Sequence, residues 1–140
     1  LVRPAREDEL AWINARYDEV GFLHSKTATE CLIAELNGAR AGLGRLVELD
    51  ARNAELGGMF VFSAYRGRGI AGAIVGKLLE RSAGYERVFC LPFAHLAEFY
   101  QGFGFRPFDD HDAVPPAVAE KLDWCNLELG KTLLLAIERA

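Results

Sequence analysis

Apolar and polar positions alternate in blocks along the chain, and the period of each block predicts a type of secondary structure. Continuous or alternating apolar runs predict strands, whereas apolar residues three and four positions apart predict helices. Strands are predicted at residues 1–5, 30–36, 41–49, 55–62, 87–92 and 132–138, with a brief extended segment at 105–108. Helices are predicted at residues 6–16, 70–81 and 94–100, and from Pro115-Pro116 to about Trp124. The inward stripe of the first is predicted at Leu10, Ile13 and Tyr17, and that of the second at Ile70, Ile74 and Leu78. The order β-α-β-β-β-α-β-α-β-α-β predicts one mixed α/β domain over residues 1–140.

Two glycine-containing dipeptides refine this picture. Asn37-Gly38 separates two apolar runs. A two-residue turn of type I′ needs positive φ at both central residues, so the pair predicts a β-hairpin. Gly57-Gly58 lies inside the predicted strand 55–62. Paired glycines within a strand predict a bulge or the close approach of another group.

Composition excludes several functional classes. The chain has 140 residues, of which 51% are hydrophobic, and a formal net charge of −4. A chain of this size can bury a core without metals or disulfides, and an acidic protein lacks the general attraction to nucleic acid phosphates. No apolar run reaches bilayer length and no secretory leader pattern opens the chain, so we expect no membrane association. The three isolated cysteines, Cys31, Cys90 and Cys125, indicate a reducing, cytoplasmic location and no cysteine–histidine metal site.

One glycine-rich loop carries the clearest chemical signal. Tyr65-Arg66-Gly67-Arg68-Gly69-Ile70-Ala71-Gly72 stands between an apolar strand and an amphipathic helix. Glycines at such a junction gather main-chain N–H groups at a helix N-terminus, where an anion binds. The segment lacks the Gly-Lys-Ser/Thr of a P-loop, and its glycine spacing and position differ from those of a dinucleotide-binding fingerprint. The loop therefore predicts a phosphate-bearing ligand of another kind.

Two motifs in the same order resemble those of a known enzyme superfamily. Arg66-Gly67-Arg68-Gly69-Ile70-Ala71 is similar to the acetyl-CoA motif Gln/Arg-x-x-Gly-x-Gly/Ala of the GNAT N-acetyltransferases. The stretch from Phe99 to Phe105 resembles the Phe-Tyr-x-x-x-Gly-Phe pattern of that family. The resemblance covers nearly the whole chain and implies a mostly antiparallel central sheet flanked by helices, with the fourth and fifth strands splayed apart.

The resemblance also implies acetyl-CoA as co-substrate and assigns residues to it. The main-chain N–H groups that would hold the pyrophosphate belong to Arg66, Gly67, Arg68, Gly69, Ile70, Ala71 and Gly72. The two arginines in this set would add positive charge. The backbone of Met59, Phe60 and Val61 would pair with the pantetheine amides and offer an N–H to the thioester carbonyl, and Tyr100 would complete the cofactor-binding set.

Acetyl transfer to an amine also needs a base and an acid. A lysine-like amine with a pKa near 10.4 is almost fully protonated at neutral pH, and the leaving thiolate benefits from a proton donor. Tyr100 matches the general-acid tyrosine of the family, and Glu55 matches the general-base glutamate of its histone-acetylating branch. The resemblance thus predicts direct transfer in a ternary complex, with Tyr100 as acid and Glu55 as base.

Two other interpretations stay open. The chain has Phe93 where the family often has an asparagine, which favours a non-catalytic acyl-CoA sensor or interaction module as the alternative to an enzyme. A nucleotide-phosphate binder is the third. The acceptor would be a small-molecule or peptide amine selected by residues 18–28 and 109–127, and family members often form homodimers. No nucleic acid or membrane partner and no metal are expected.

Overall fold

The structure, a computed structural model, describes residues 1–139. These residues form two compact units. The first unit comprises Leu1–Leu46 and Gly58–Ala83, and the second comprises Val47–Gly57 and the chain from Gly84 onward. None of the helices in residues 1–139 combines the length and the apolar character needed to cross a membrane.

The first unit contains most of the N-terminal half of the fold. Its elements in chain order are β1 (Val2–Pro4), α1 (Leu10–Val20), β2 (Cys31–Leu36), β3 (Ala39–Glu48), the end of β4 (Asn53–Val61) and α2 (Ile70–Arg81). Strands β1 and β2 pair antiparallel, as do β2 and β3. The turn between β2 and β3 has φ of 53° at Asn37 and 80° at Gly38, which confirms the predicted hairpin.

The core of the first unit explains why its helices form where they do. Ile13 and Tyr17, one helical turn apart on α1, are fully buried against Ile33 and Leu43 of the neighbouring strands. On α2, the residues buried at helical spacing are Ile74, Val75 and Leu78. Each helix therefore buries one apolar stripe, as the sequence periodicity predicts.

The second unit contains the C-terminal elements together with the start of β4. They are β5 (Arg87–Cys90), α3 (Ala97–Gln101), β6 (Arg106–Pro107), α4 (Pro116–Glu128) and β7 (Leu135–Glu138). Strand β5 pairs parallel with β4 and antiparallel with β7, which also pairs with β6. Phe89, Phe108, Val118 and Ala136 form its buried apolar cluster.

The strands follow the order β1-β2-β3-β4-β5-β7-β6 in one seven-stranded sheet. Only the pair β4–β5 is parallel among the pairs in residues 1–139 whose register is defined. Its register runs from Asn53↔Arg87 to Leu56↔Cys90, although β4 continues to Val61. The predicted mixed, mostly antiparallel sheet with flanking helices is thus confirmed.

Two helices extend beyond their predicted ends. Helix α1 continues past Arg16 to Val20, because Tyr17 belongs to its buried stripe and left-handed Gly21, with φ of 71°, ends it. Helix α4 continues past Trp124 to Glu128, because Cys125 extends its buried face. Helix α1 also begins later than predicted, at Leu10, since residues Glu7–Glu9 form a 3-10 turn.

Candidate functional site

The loop before α2 places an uncapped helix N-terminus beside two left-handed glycines. Gly67 and Gly69 have φ of 78° and 75°, and beyond their chain neighbours no described atom lies within 4 Å of a Cβ built on either. Gly69 is the N-cap residue, and no side chain of residues 1–139 caps this helix. The N–H groups of Ile70, Ala71 and Gly72 in the first turn therefore offer donors to an anion.

Two exposed arginines add charge to this loop. Arg66 and Arg68 flank left-handed Gly67, and both side chains are exposed. The Nε of Arg66 donates a hydrogen bond to the carbonyl oxygen of Val61 over 3.4 Å, which draws this side chain towards the end of β4. The predicted anion-binding residues thus lie together in the first unit.

The end of β4 presents its side chains to two different environments. A Cβ built on Gly44 of β3 would lie 2.6 Å from the sulfur of Met59 and 2.8 Å from Cγ2 of Ile74, so Met59 lies among residues of the α2 face. Phe60 packs with the apolar cluster of α1, and its ring meets that of Phe62 edge-on at 5.0 Å. All three residues of Met59–Val61 are partly buried.

A cavity of about 350 Å³ lies beside this strand end in the first unit. Its wall combines aromatic rings with an ion pair. The ion pair joins Nε of Arg16 to a carboxylate oxygen of Glu19, 2.6 Å apart. The lining residues are Arg16, Glu19, Val20, Phe60, Phe62, Ser63 and Arg66. Phe60 and Arg66 belong to the predicted cofactor-binding set, so the cavity adjoins that set. Its volume is that of a small-molecule site.

The glycine pair in β4 does mark a close approach, as predicted. Gly58 has φ of 60°, and a Cβ on it would collide with the hydroxyl of Tyr17 and lie 2.9 Å from Nε of Arg45. The Tyr17 hydroxyl donates a hydrogen bond to the Gly58 carbonyl oxygen over 2.8 Å. Sequence reasoning placed Tyr17 in the core stripe and did not single out Arg45; the paired glycines were the one signal that something lay against β4.

Glu55 lies in the second unit with a partner that the sequence did not indicate. Its side chain is 7% exposed, and Oε2 accepts a hydrogen bond from Nζ of Lys121 on α4 over 2.6 Å. The carboxylate is thus a buried member of an ion pair rather than a solvated group at a strand end. Lys121 belongs to residues 109–127, one of the two segments predicted to select the acceptor.

Tyr100 also lies in the second unit, on α3. It is 5% exposed, and its ring meets those of Phe99 and Phe105 edge-on at 5.0 and 6.0 Å. Burial raises the pKa of the Tyr100 hydroxyl, with a smaller contribution from the thiol of Cys90. The phenol is therefore protonated at neutral pH, the state that a proton donor requires.

Within residues 1–139, no group of three or more histidine, cysteine, aspartate or glutamate side chains is arranged to hold a metal ion. The three cysteines are buried free thiols. Burial raises the pKa of the thiols of Cys31, Cys90 and Cys125, which disfavours the nucleophilic thiolate form.

Comparison with known proteins identifies the family of this chain. The family model described as an acetyltransferase (GNAT) domain matches residues 27–107, more than half of the chain. The matched region includes the loop at Arg66–Gly72, the strand end at Met59–Val61, Glu55 and Tyr100. A search of curated proteins finds no significant match.

Solved structures with the same fold cover between 97% and 100% of the chain. Rv2747 from Mycobacterium tuberculosis, in complex with CoA and NLQ, has a TM-score of 0.82 and 25% identity, with coverage of 100% of this chain and 99% of that chain. N-acetylglutamate synthase from Neisseria gonorrhoeae, complexed with coenzyme A and L-arginine, has a TM-score of 0.77 and 18% identity; 99% of this chain matches only 33% of that one. Arabidopsis thaliana Naa50, bound to the bisubstrate analogue CoA-Ac-MVNAL, has a TM-score of 0.70 and 14% identity, with coverage of 97% and 96%.

Proposed function

Because the chain belongs to the GNAT family of acetyl-CoA-dependent N-acetyltransferases, we propose that it transfers the acetyl group to a primary amine by direct attack in a ternary complex. The observation that carries this proposal is the uncapped N-terminus of α2, where left-handed Gly67 and Gly69 stand beside Arg66 and Arg68. This arrangement suits a pyrophosphate, because main-chain N–H groups and guanidinium groups are the usual donors to phosphate oxygens.

The first unit supplies the residues assigned to the cofactor. We assign the pyrophosphate to the N–H groups of Arg66–Gly72 and the pantetheine amides to the backbone of Met59–Val61. Acetyl-CoA, when bound, supplies a thioester with an electrophilic carbonyl carbon. A main-chain N–H near that carbonyl stabilises the oxyanion that forms on attack, because it is already oriented and needs no reorganisation.

We propose that Glu55 is the base that removes a proton from the acceptor amine, acting directly or through a water molecule. Lys121 already donates to Oε2 of this carboxylate, so we assign proton acceptance to Oε1. The contact also supports the assignment in another way. The Nζ of Lys121 is a primary ammonium 2.6 Å from a buried carboxylate, which is the same pair of chemical groups that a protonated acceptor and its base would form.

We assign protonation of the leaving CoA thiolate to Tyr100. The phenol carries its proton at neutral pH, so that proton is available to the sulfur as the bond between sulfur and the acetyl carbon breaks. Burial of Tyr100 among aromatic rings also holds the phenol in one orientation.

Cofactor binding can be tested with two matched glycine variants of the same helix. Gly69→Ala forces a side chain into a left-handed conformation at the N-cap, whereas Gly76→Ala adds the same methyl group in open space within α2. We expect Gly69→Ala to raise the Kd for acetyl-CoA about tenfold by calorimetry, and Gly76→Ala to leave it unchanged. No acetyl-CoA binding by the wild-type protein would refute the proposed function.

Turnover separates the enzyme from the alternative of an acyl-CoA sensor. Release of free CoA should depend on an added amine, whereas a sensor would bind acetyl-CoA without releasing CoA. Free amino acids and short peptides form the first acceptor panel, because N-acetylglutamate synthase and a complex with a peptide-containing bisubstrate analogue are among the similar structures. Acetylation of either group would assign the acceptor class.

A further inference from the structure

Two side chains of the first unit, Tyr17 and Arg45, lie against Gly58 of β4, and Ser25 holds Arg45; we call these three residues the Gly58 clamp. The Tyr17 hydroxyl donates to the Gly58 carbonyl oxygen over 2.8 Å. The guanidinium of Arg45 lies over the Tyr17 ring, with 4.6 Å between its Cζ and the ring centroid. Tyr17 is fully buried, Arg45 is 4% exposed and Ser25 is 5% exposed.

The clamp also holds the chain segment that follows α1. Nη1 of Arg45 donates to the carbonyl oxygen of Leu23 and to the hydroxyl of Ser25, over 2.8 Å each. The backbone of Ser25 is held by Asn14, which accepts from its N–H over 2.8 Å and donates to its carbonyl over 3.1 Å. One network therefore joins α1, residues 23–25 and Gly58 of β4.

The composition of the clamp is unusual for a purely structural contact. Arg45 is a buried cation, and among residues 1–139 no carboxylate forms an ion pair with it. Its Nε has no hydrogen-bond partner in the part of the chain that the structure describes. A buried arginine without a carboxylate is costly to the folded state, so its presence at this position calls for a specific reason.

The geometry of the peptide bond supplies that reason. A trans peptide is planar, with its carbonyl oxygen and N–H pointing in opposite directions. The carbonyl of Gly58 and the N–H of Met59 belong to one peptide, and this chain has no cis peptide in residues 1–139. A hydroxyl that fixes the Gly58 oxygen therefore also fixes the direction of the Met59 N–H, one of the groups assigned to the thioester.

We propose that Tyr17 and Arg45 are positioning residues, which orient the Gly58–Met59 peptide towards the thioester and couple that peptide to residues 23–25 of the acceptor segment. This inference rests on the proposed function. Tyr17 acts on the peptide through its hydroxyl. Arg45 supports the Tyr17 ring from one side and holds Leu23 and Ser25 from the other. Neither side chain needs to touch the reacting atoms.

Tyr17→Phe tests the first half of this inference, because it removes the hydroxyl and keeps the ring beneath Arg45. We expect kcat to fall about tenfold, while the Kd for acetyl-CoA and the KM for the amine stay within twofold of wild type. We also expect faster amide hydrogen exchange of Met59 in the free protein, measured by NMR. The matched control is Tyr85→Phe, which removes the hydrogen bond of another tyrosine hydroxyl, 2.7 Å from Oε1 of Glu48, and should change none of these values.

Ser25→Ala and Arg45→Met test the second half. Both remove contacts that hold residues 23–25, so we expect the KM for the amine to rise about threefold in the first and about tenfold in the second. The Kd for acetyl-CoA should stay unchanged in both.

The possible failures are distinguishable. A wild-type protein that releases no CoA with any amine would refute the proposed function and this inference together. If the wild-type protein is active and the Tyr17→Phe variant keeps the wild-type kcat and the wild-type amide exchange rate of Met59, the inference alone is refuted. The same holds if Tyr17→Phe lowers thermal stability but leaves kcat and KM at their wild-type values. An unchanged KM for the amine in both Ser25→Ala and Arg45→Met would refute the coupling to the acceptor segment.

Discussion

Within residues 1–139, each of the two units buries one glutamate, and the two carboxylates have very different surroundings. The side chain of Glu9 in the first unit is 1% exposed, and that of Glu55 in the second is 7% exposed. Their burial is nearly the same, so burial alone does not distinguish a structural carboxylate from a candidate base. The number of fixed donors around each carboxylate does.

Glu9 is held by four donors. Arg3 contacts both of its oxygens, over 2.8 and 2.9 Å, and the backbone N–H of Arg6 donates over 2.9 Å. Nη2 of Arg40 lies 3.2 Å from Oε2. The hydrogen bonds from Arg3, helped by that from the Arg6 backbone, lower the pKa of Glu9 to about 2 against the desolvation cost of burial. A carboxylate held in this way cannot take up a proton near neutral pH.

Glu55 has one charged partner among residues 1–139, the ammonium of Lys121. A single flexible lysine leaves part of the carboxylate available, whereas a bidentate arginine occupies both oxygens at once. The comparison therefore favours a structural role for Glu9 and leaves a catalytic role open to Glu55. The predictions below test that division.

The largest effect should follow from removing the carboxylate of Glu55. Glu55→Gln keeps an oxygen for Lys121 to contact but cannot act as a base, so we expect kcat to fall about 1,000-fold at neutral pH. The loss corresponds to about 4 kcal/mol of activation free energy. Steady-state release of CoA with a saturating amine measures it.

Glu48→Gln is the matched control, since Glu48 is an exposed glutamate of the same unit and should leave kcat unchanged. The Kd of the Glu55→Gln protein for acetyl-CoA should stay near that of wild type. Wild-type turnover in this variant would exclude Glu55 as the base and would place both glutamates in the structural class.

The fold was largely predictable from the sequence, because its determinants are local. The period of apolar residues depends on neighbours within one turn, so the stripe at Ile74 and Leu78 identified α2 correctly. The Asn37-Gly38 hairpin depends on the φ preferences of two adjacent residues. The end of α1 depends instead on tertiary contacts. The local pattern placed Tyr17 in the inward stripe but predicted the end of the helix at Arg16, whereas burial of Tyr17 carries the helix on to Gly21.

The candidate site was predictable only where its residues are contiguous. The loop at Arg66–Gly72 concentrates glycines and arginines in one segment, so its chemistry can be inferred without a fold. The partner of Glu55 lies 66 residues away in sequence, and the partner of Gly58 lies 41 residues away. No local period links such positions. The roles of Glu55 and Tyr100 stay predictions until they are measured.

A smaller effect, on stability rather than activity, should follow from Glu9→Gln. Glu9→Gln places the NH2 group of a buried amide among the donors of Arg3 and Arg40, where it cannot accept a hydrogen bond, so we expect a loss of about 3 kcal/mol in the free energy of unfolding. Urea denaturation measures this loss, and kcat per folded molecule should stay at the wild-type value. Asp8→Asn is the control: Asp8 is 75% exposed and pairs with exposed Arg6, so its loss should cost less than about 0.5 kcal/mol. A loss of kcat in Glu9→Gln at full folding would contradict the division between the two glutamates.

The smallest effect concerns pH and isolates the titration of Glu9. Its pKa is about 2 in the folded protein and has an ordinary value of 4.5, so between these values the unfolded chain binds more protons than the folded protein. The stabilisation is therefore complete above pH 4.5 and is lost as pH falls towards 2. We expect the folded state to lose about 2 kcal/mol from this group between pH 5 and pH 3, measured by urea denaturation at each pH. Glu9→Gln should remove that part of the pH dependence, whereas the control Asp8→Asn should retain it. If the free energy of unfolding changes with pH equally in Glu9→Gln and in wild type, the arginines do not hold Glu9 in its charged form.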